Sequence, residues 1–450
     1  MIGEKKLFSK LEKVLARSKA DETEIIYFGD MNCLTRFANS YIHQNISVKN
    51  SLIYFRVVKD KRVGVASTNS IRELDLKQTL ENALEIARQQ PEKPDFPGLP
   101  KPQKYKTVLT FDEYTASFTP KQRAMKVKQI IRKSSEKNFT LAGAFSSGFG
   151  EIAVVNSHGL KAYQPVTFAS TNMVVMSDDS SGYASDTSRN VADLDFDNMA
   201  NRAIEKCFRS QNPIEIKPGK YEVILEPAAV AEILEWLNYI GLGSKPFQQQ
   251  MSFLSGKIGK KITSGKISIY DDGYKLNGVP FPFDFEGVPK KKVMFIDKGV
   301  ANGVVYDSVA AAKDKTKSTG HAVTPNYAHE GASGLNIYMA PGKKSLKNMI
   351  ADVKKGILVT RFHYINGFID TRNSVLTGMT RDGTFLVEDG EIKNGIKNLR
   401  FTDSMMSAFK TTQSLSKETG RVSSWWSALG CMTVPAVHLK KFNFSGKTDF

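Results

Sequence analysis

The amino-terminal part of the chain is dominated by short apolar segments. Residues 24–28 have the pattern of a buried strand, and residues 36–45, 52–58 and 62–66 also have strand-like patterns. Successive segments of this kind predict a meander of antiparallel strands. Residues 70–91 place apolar side chains at helical spacing, which predicts an amphipathic helix after the meander.

The next segment opens with five prolines in residues 91–109, which predict a linker or a surface crossing. Residues 120–137 and 194–209 both show helical periodicity. Between them the pattern predicts a hairpin of residues 144–155 and 161–176, and it marks residues 177–191 as polar and rich in turns. The amino-terminal region is therefore expected to be α+β, with helices on one face of an antiparallel sheet.

The second half opens with a strand and a helix. Residues 223–225 are a short buried-strand pattern, and Pro227 is suited to the first turn of a helix, where its missing N–H costs nothing. A stripe of apolar residues predicts a helix packed on one side, which Gly241 and Gly243 are expected to end. The residues of this stripe are Val230, Ile233, Leu234 and Leu237.

Short strands and turns fill the rest of the chain. Asp389-Gly390 is typical of a type I′ hairpin, and Ser345 is suited to cap a helix that begins at the next residue. The predicted fold is α+β: an amino-terminal antiparallel sheet with helices, followed by a β-rich, barrel- or sandwich-like carboxy-terminal domain. We predict three regions, residues 1–90, 91–215 and 218–450, of which the second is a linker and a middle α+β segment.

Composition favours a cytoplasmic protein. No run of 18 apolar residues could form a membrane span. The first 22 residues predict a charged amphipathic helix rather than a signal peptide. The three cysteines lie far apart and are odd in number, which disfavours a disulfide framework.

The chain carries a formal charge of +17, from 63 Lys and Arg against 46 Asp and Glu. The basic runs, such as Lys260-Lys261 and Lys290-Lys291-Lys292, are short and have no aromatic residues between them. We interpret them as a solvated basic surface, and a nucleic acid or an acidic substrate is the alternative.

Seven segments of the chain, taken in order, carry a resemblance to a known family. They are residues 36–45, 281–287, 297–300, 318–320, 340–342, 355–359 and 377–392. Together these segments resemble the TldD/PmbA family. The resemblance implies an α+β amino-terminal region, a β-rich carboxy-terminal domain, and dimers around a central channel or cavity. It also implies two branches: TldD-like chains bind zinc and cleave unfolded peptides, whereas TldE/PmbA-like chains pair with them and lack the metal motif.

The residues at the family's metal positions separate the two branches. TldD-like chains carry His-Glu-x-x-x-His on the helix that follows the first strand of the second half, and a cysteine near the carboxy terminus. A gapless alignment on residues 253–259 and 270–273 places Glu235, Trp236 and Ile240 at the His, Glu and His positions. Zinc needs N, S or O ligands and a base beside its water, which Trp and Ile cannot supply.

This alignment therefore places the chain in the TldE/PmbA-like branch. We expect no catalytic residue, no metal ligand and no cofactor in this chain, with zinc held by a TldD-like partner. Glu235 is interpreted as a solvated carboxylate on the helix surface. Cys431 matches the family's cysteine position and is interpreted as a small buried apolar residue, with a weak alternative as a ligand.

Two acidic pairs are further candidates. Asp271-Asp272-Gly273 is interpreted as a turn. Asp284 and Glu286 are expected to point the same way from a strand, and to line a cleft wall or dimer contact or, second, to touch substrate.

Three functions stay open. The first is a metal-free subunit of a two-subunit peptidase, which holds unfolded peptide by strand addition and could form a homodimer when alone. The second is a self-sufficient metallopeptidase with an atypical site around Cys431, His321 and His329. The third, prompted by the basic balance and the family's description as a gyrase modulator, is a protein that acts on DNA gyrase or nucleic-acid machinery; we expect nucleic-acid binding the least.

Overall fold

A computed structural model describes residues 1–424 and 429–448. Its first half is built on a six-stranded antiparallel sheet with the order β3-β2-β1-β4-β5-β6. The strands are β1 (Glu22–Ala38), β2 (Tyr41–Lys59), β3 (Arg62–Thr68), β4 (Thr140–Asn156), β5 (Lys161–Met176) and β6 (Ser181–Ser188). The helices of this half are α1 (Glu4–Leu15), α2 (Glu73–Gln89), α3 (Glu113–Ala116), α4 (Pro120–Ser135) and α5 (Phe196–Arg209).

Both faces of β1 are buried over residues 23–27, which explains the run of apolar residues there. Ile25 and Tyr27 pack against α1 and α2 on one face. Ile26, between them, faces the other way and packs with Phe281 and Phe283 from the second half of the chain. Strands buried on both faces need apolar side chains at successive positions rather than an alternating pattern.

Two predictions for the first half have different outcomes: a linker or surface crossing at residues 91–109, and a polar, turn-rich segment at residues 177–191. Residues 91–109 contain no helix or strand, yet strands from both sides of this segment share one sheet. The turn prediction is wrong for β6, which pairs along its whole length with β5. The sequence of β6 is polar and therefore lacks the apolar pattern of a strand. Gly182 of β6 allows α5 to pack closely, because a Cβ at this position would lie 2.1 Å from the Ala203 carbonyl oxygen.

The second half contains an eleven-stranded mixed sheet. Its strands are β7 (Gly219–Leu225), β8 (Ile269–Asp271), β9 (Val293–Asp297), β10 (Val300–Ala301), β11 (Asn336–Met339), β12 (Lys355–Asp370), β13 (Val375–Glu388), β14 (Glu391–Gly395), β15 (Leu399–Ser404), β16 (Thr412–Ser423) and β17 (Cys431–Lys447). Its helices are α6 (Pro227–Leu237), α7 (Ser244–Gln248), α8 (Ser308–Lys313), α9 (Leu346–Ala351) and α10 (Met405–Lys410). Residues 425–428 and 449–450, which the predicted third region includes, lie outside the described residues.

Five of these strands close into a ring. The order β17-β15-β13-β12-β7 returns to its start because β7 pairs with both β12 and β17. Strands β11, β8, β9 and β10 extend the sheet from β17. The prediction of an α+β fold with a barrel-like second domain is confirmed.

Two local predictions in this domain are also confirmed. Asp389 and Gly390 both have positive φ (51° and 78°), as a type I′ hairpin requires. Ser345 caps α9 by accepting a hydrogen bond from Asn348 N (3.2 Å). None of the helices among the described residues is long and apolar enough to cross a membrane.

Candidate functional site

Helix α6 lies inside the carboxy-terminal domain. It starts directly after β7, with Pro227 as its first residue, and it contacts β12, β16 and β17. Eight of its eleven residues are buried. The predicted apolar stripe is correct, but it covers only part of the buried surface, because strands from later in the chain cover the rest of the helix.

Glu235 stands at the family's first histidine position, and its prediction as a solvated carboxylate is wrong. The residue is 3 % exposed. Ser424 Oγ donates a hydrogen bond of 2.6 Å to Glu235 Oε1. The carboxylate therefore accepts a hydrogen bond from the residue that directly follows β16.

Trp236 and Ile240 pack against neighbouring apolar and aromatic groups. Trp236 makes edge-to-face contacts with Tyr239 and Phe368, at centroid distances of 6.2 and 5.6 Å. Both residues lie against Gly367 of β12: a Cβ there would be 2.9 Å from Trp236 Cε3 and 3.3 Å from Ile240 Cγ2. Packing therefore occupies the positions that a base and a ligand would need.

A π turn of residues Asn238–Leu242 continues the helix. Gly241 was expected to end the helix, and it lies inside this turn instead. A Cβ on Gly241 would lie 2.4 Å from the Phe253 ring, so the glycine permits close packing. Residues five apart diverge by roughly 140° around an α-helix, and a π turn, with its i→i+5 hydrogen bonds, reduces this divergence. The turn therefore draws Ile240 towards the side that carries Glu235.

Cys431 lies near these positions but is buried. It pairs in register with Ser423, the residue before the Glu235 partner Ser424. It is 1 % exposed, and burial raises the pKa of its thiol to about 12. The side chain behaves as the small buried residue that the sequence indicates.

The alternative site around Cys431, His321 and His329 does not form in the described part of the chain. His321 is buried, with Nε2 2.9 Å from Asp271 Oδ1 and Nδ1 2.9 Å from Thr319 Oγ1. His329 is on the surface, with its side chain 69 % exposed. Among the described residues, no three His, Cys, Asp or Glu side chains cluster in a way that could hold a metal ion.

The turn prediction for Asp271 is wrong. Asp271 is the last residue of β8 and is fully buried. In addition to its contact with His321, it accepts hydrogen bonds from the backbone N–H groups of Leu335 and Asn336, each 2.8 Å long. Only Asp272 has the predicted turn role, since its Oδ1 accepts from Tyr274 N (3.1 Å).

Asp284 and Glu286 lie on a tight turn, so their prediction as neighbours on a strand is wrong. Asp284 Oδ1 accepts from Glu286 N (2.9 Å), and its Oδ2 accepts from Ala322 N (2.9 Å). Burial, followed by the charge of Glu286, raises the pKa of Asp284 to about 7. Glu286 pairs instead with Arg56 of β2 (3.2 Å). Asp284 thus holds the turn together, and Glu286 joins the two halves of the chain.

A cavity of about 610 Å³ lies between the two halves, beside the start of α6. We call it the interdomain cavity. Strands β5 and β6 line one side of it, and α6, β12 and β16 line the other. Among the described residues, β6 pairs only with β5, and β16 forms a ladder only with β17, apart from an isolated bridge between Ser416 and Lys344, so the cavity is bordered by two sheet edges. Its volume lies within the range of small-ligand sites.

An acidic and basic cluster lines this cavity. Glu232, 8 % exposed, accepts a hydrogen bond from Phe362 N (2.6 Å). Burial raises the pKa of Glu232 to about 8, and the charge of Arg361 opposes this rise. Arg361 pairs with Asp382 (2.5 Å) and lies over the Tyr183 ring at 4.4 Å. A pKa raised in this way favours the neutral carboxyl over the carboxylate, and a neutral carboxyl can donate a hydrogen bond.

Sequence reasoning missed this cluster. Glu232 is one helical turn before Glu235, and its position on a largely apolar helix was the available signal. A carboxyl group inside an apolar stripe needs a buried partner, and that partner comes from a strand 130 residues later.

Comparison with known proteins accounts for nearly all of the chain. The model of the PmbA/TldA metallopeptidase domain 1 matches residues 33–87, that of the central domain matches residues 104–210, and that of the carboxy-terminal domain matches residues 218–446. A metalloprotease of Methanocaldococcus jannaschii is 21% identical over 91% of this chain and 92% of its own length. The metalloprotease TldD homolog of Haemophilus influenzae is 27% identical over 44% of this chain and 41% of its own.

The fold agrees with this match. The crystal structure of TldE from Thermococcus kodakarensis superposes with a TM-score of 0.89 at 23% identity, over 97% of this chain and all of that one. The three family models together cover most of the sequence, in the order in which the structure arranges its regions. The chain therefore belongs to the PmbA/TldA metallopeptidase family, which is the TldD/PmbA family that the sequence resembles.

Proposed function

We propose that this chain is the metal-free, TldE/PmbA-like subunit of a TldD/TldE-type peptidase that degrades or processes unfolded peptides. One observation carries the proposal: the three family metal positions hold a buried glutamate bound by Ser424 and two side chains packed on Gly367. These residues do not fit zinc. The metal and the base that activates its water would come from a TldD-like partner.

In this proposal the interdomain cavity helps to hold the substrate. A sheet edge offers backbone N–H and C=O groups to any extended peptide, whatever its sequence. The edges of β6 and β16 border the cavity, and the neutral carboxyl of Glu232 supplies one further hydrogen-bond donor. Two of the three cysteine thiols are buried and all are free, which supports a reducing compartment such as the cytoplasm.

The division of labour predicts where zinc is found. We expect the purified chain to hold no stoichiometric zinc and to cleave no peptide, whereas its complex with a TldD-like partner holds zinc and cleaves unfolded peptides. Metal analysis and a peptidase assay on the chain, the partner and the complex test this. Chelator-sensitive cleavage by this chain alone, lost with Cys431→Ala, would instead support the self-sufficient alternative.

The cavity predicts a second result. Ala228→Trp places an indole in the interdomain cavity, which Ala228 lines from the first turn of α6. We expect the complex to lose about tenfold in kcat/KM, equivalent to roughly 1.4 kcal/mol, with its zinc content unchanged. Ala192→Trp, on an exposed 3₁₀ turn, is the matched control and is expected to leave the rate unchanged. Equal rates for the two variants would remove the cavity from the proposal.

The nucleic-acid alternative stays a prediction. Its signature is DNA binding that weakens steeply as salt is added, which a titration at several salt concentrations measures.

A further inference from the structure

A second cavity, of about 440 Å³, lies on the carboxy-terminal domain and is lined by four lysines. We call it the lysine pocket. Its lining is Lys257, Lys260, Lys261, Ile262, Asn373, Ser404, Met406, Ser407 and Lys410. The interdomain cavity shares none of these residues. The proposal for the lysine pocket therefore rests on residues other than those of the interdomain cavity.

Three segments that are distant in sequence build the lysine pocket, and hydrogen bonds fix them. Ser264 N, after the loop of residues 257–262, donates to Phe409 O at the end of α10 (3.2 Å). Ser404 Oγ, at the start of α10, donates to Asn373 O in the neighbouring 3₁₀ turn (2.7 Å). The lysines are thus brought together by the fold and not by a basic run.

The positive charge of the lysine pocket is not neutralised within the described part of the chain, where none of its four lysines forms an ion pair with a carboxylate. Lys260 Nζ donates to a backbone oxygen, Gly256 O (3.0 Å). Burial lowers the pKa of Lys257, the charges of Lys410 and Arg372 lower it further, and the charge of Asp370 opposes this decrease. The nearby Asp370 directs its carboxylate to Asn373 N and Nδ2, at 3.0 and 2.7 Å.

The lining indicates the chemistry of the ligand. A single carboxylate neutralises one ammonium group, whereas a diphosphate or triphosphate carries enough charge for several. Lysine acts as a point charge towards phosphate, and the hydroxyls of Ser404 and Ser407 with the amide of Asn373 add neutral hydrogen-bonding groups. Among the described residues, no aromatic side chain lines the pocket, and these residues offer no stacking platform for single-stranded nucleic acid.

We propose that the lysine pocket binds a small ligand through a multiply charged phosphate group of the diphosphate or triphosphate class. Its volume lies within the range of small-ligand sites, and the buried residues Ile262 and Met406 complete its lining. Binding relieves the repulsion among the lysines.

Calorimetric titration with inorganic pyrophosphate and tripolyphosphate tests the proposal on the full chain. The variant Lys257→Gln/Lys260→Gln/Lys410→Gln should bind either probe at least about 30-fold more weakly than wild type. The control Lys49→Gln/Lys104→Gln/Lys347→Gln removes the same charge from exposed lysines outside the pocket and should stay within about threefold of wild type. Without probe, the pocket variant should melt no lower than wild type, because it loses like-charge repulsion.

Three results would overturn the proposal. The first is a loss of affinity in the control as large as in the pocket variant, which would show a diffuse charge effect. The second is an absence of binding heat with both probes. The third is binding of an oligoglutamate peptide or a DNA oligonucleotide that depends on the pocket lysines, while pyrophosphate fails to bind.

Discussion

Arg56→Ala is expected to lower the free energy of unfolding by about 3–5 kcal/mol, because it leaves two buried carboxylates without their shared counter-charge. Arg56 Nη2 lies 2.9 Å from Glu24 Oε1, and its Nη1 lies 3.2 Å from Glu286 Oε1. Glu24 is fully buried, and the other two residues are less than a tenth exposed. The ion pairs are therefore poorly screened by solvent.

The position of this cluster explains why its loss affects the whole chain. Glu24 and Arg56 belong to β1 and β2, whereas Glu286 belongs to the second half, where its Oε2 also accepts from Ser308 N (3.1 Å). Burial raises the pKa of Glu24 to about 7 even with Arg56 present. Without Arg56, Glu24 takes up a proton more readily. Because a neutral carboxyl needs no counter-charge, this protonation limits the loss of unfolding free energy.

Urea denaturation monitored by fluorescence and by circular dichroism measures this effect. Arg62→Ala is the control, since Arg62 pairs with Glu92 at the surface (3.2 Å) with side chains 37% and 58% exposed. Surface pairs of this kind contribute about 0–1 kcal/mol. Adding Glu24→Gln to Arg56→Ala should recover part of the loss. Equal losses of unfolding free energy for Arg56→Ala and Arg62→Ala would contradict the role of Arg56 in linking the two halves of the chain through ion pairs.

Local pattern predicted much of the fold, and it failed where pairing with distant strands decides the structure. The hairpin of β4 and β5 has strong alternation and a turn at residues 156–159, and its strands lie close to their predicted positions. Strand β17, the centre of the second sheet, was missed altogether. Pro435 in its middle argues against a central strand, because proline cannot donate to the ladder.

The pairing of β17 resolves this conflict. Residues 431–433 pair with β11, and residues 437–444 pair with β7. Pro435 lies in the gap between these two ladders. On the other side it faces Thr419, where the register with β16 shifts. A change of partner strand therefore accommodates the proline, and no property of the local sequence indicates such a change.

For the candidate site, too, the sequence predicted the residue types but not the contacts that distant segments make with them. The residue types at positions 235, 236 and 240 are readable from the sequence, and so is their poor fit to zinc. Their environment is not, because Ser424 and Gly367, which contact them, lie more than 120 residues later. Burial of a charged residue is decided by such contacts, which is why Glu235 and Asp271 were both expected to face solvent or a turn.

Glu232 gives the chain a pH-dependent stability with a definite sign. Burial raises its pKa to about 8 in the folded chain from the ordinary value of 4.5, so the folded state binds the proton more tightly than the unfolded chain does. The stabilisation from this group is complete below the unfolded pKa and is lost as pH rises through the folded pKa. The charged groups around it are Arg361 and Asp382, with Tyr183 and His363 also lining the cavity.

Glu232→Gln should therefore remove a large part of this pH dependence. Glutamine keeps an oxygen that can accept the hydrogen bond from Phe362 N, but it has no proton to lose. Between pH 5 and pH 9 we expect the wild type to lose about 3–5 kcal/mol of unfolding free energy relative to the variant. Urea denaturation of both proteins at several pH values measures the difference between their unfolding free energies. Glu24, Asp284 and the other titrating groups common to both proteins contribute equally to the two values and therefore drop out of this difference. If the unfolding free energies of the two proteins change in parallel with pH, Glu232 is ionised throughout this range. That result would contradict its role as a neutral hydrogen-bond donor in the interdomain cavity.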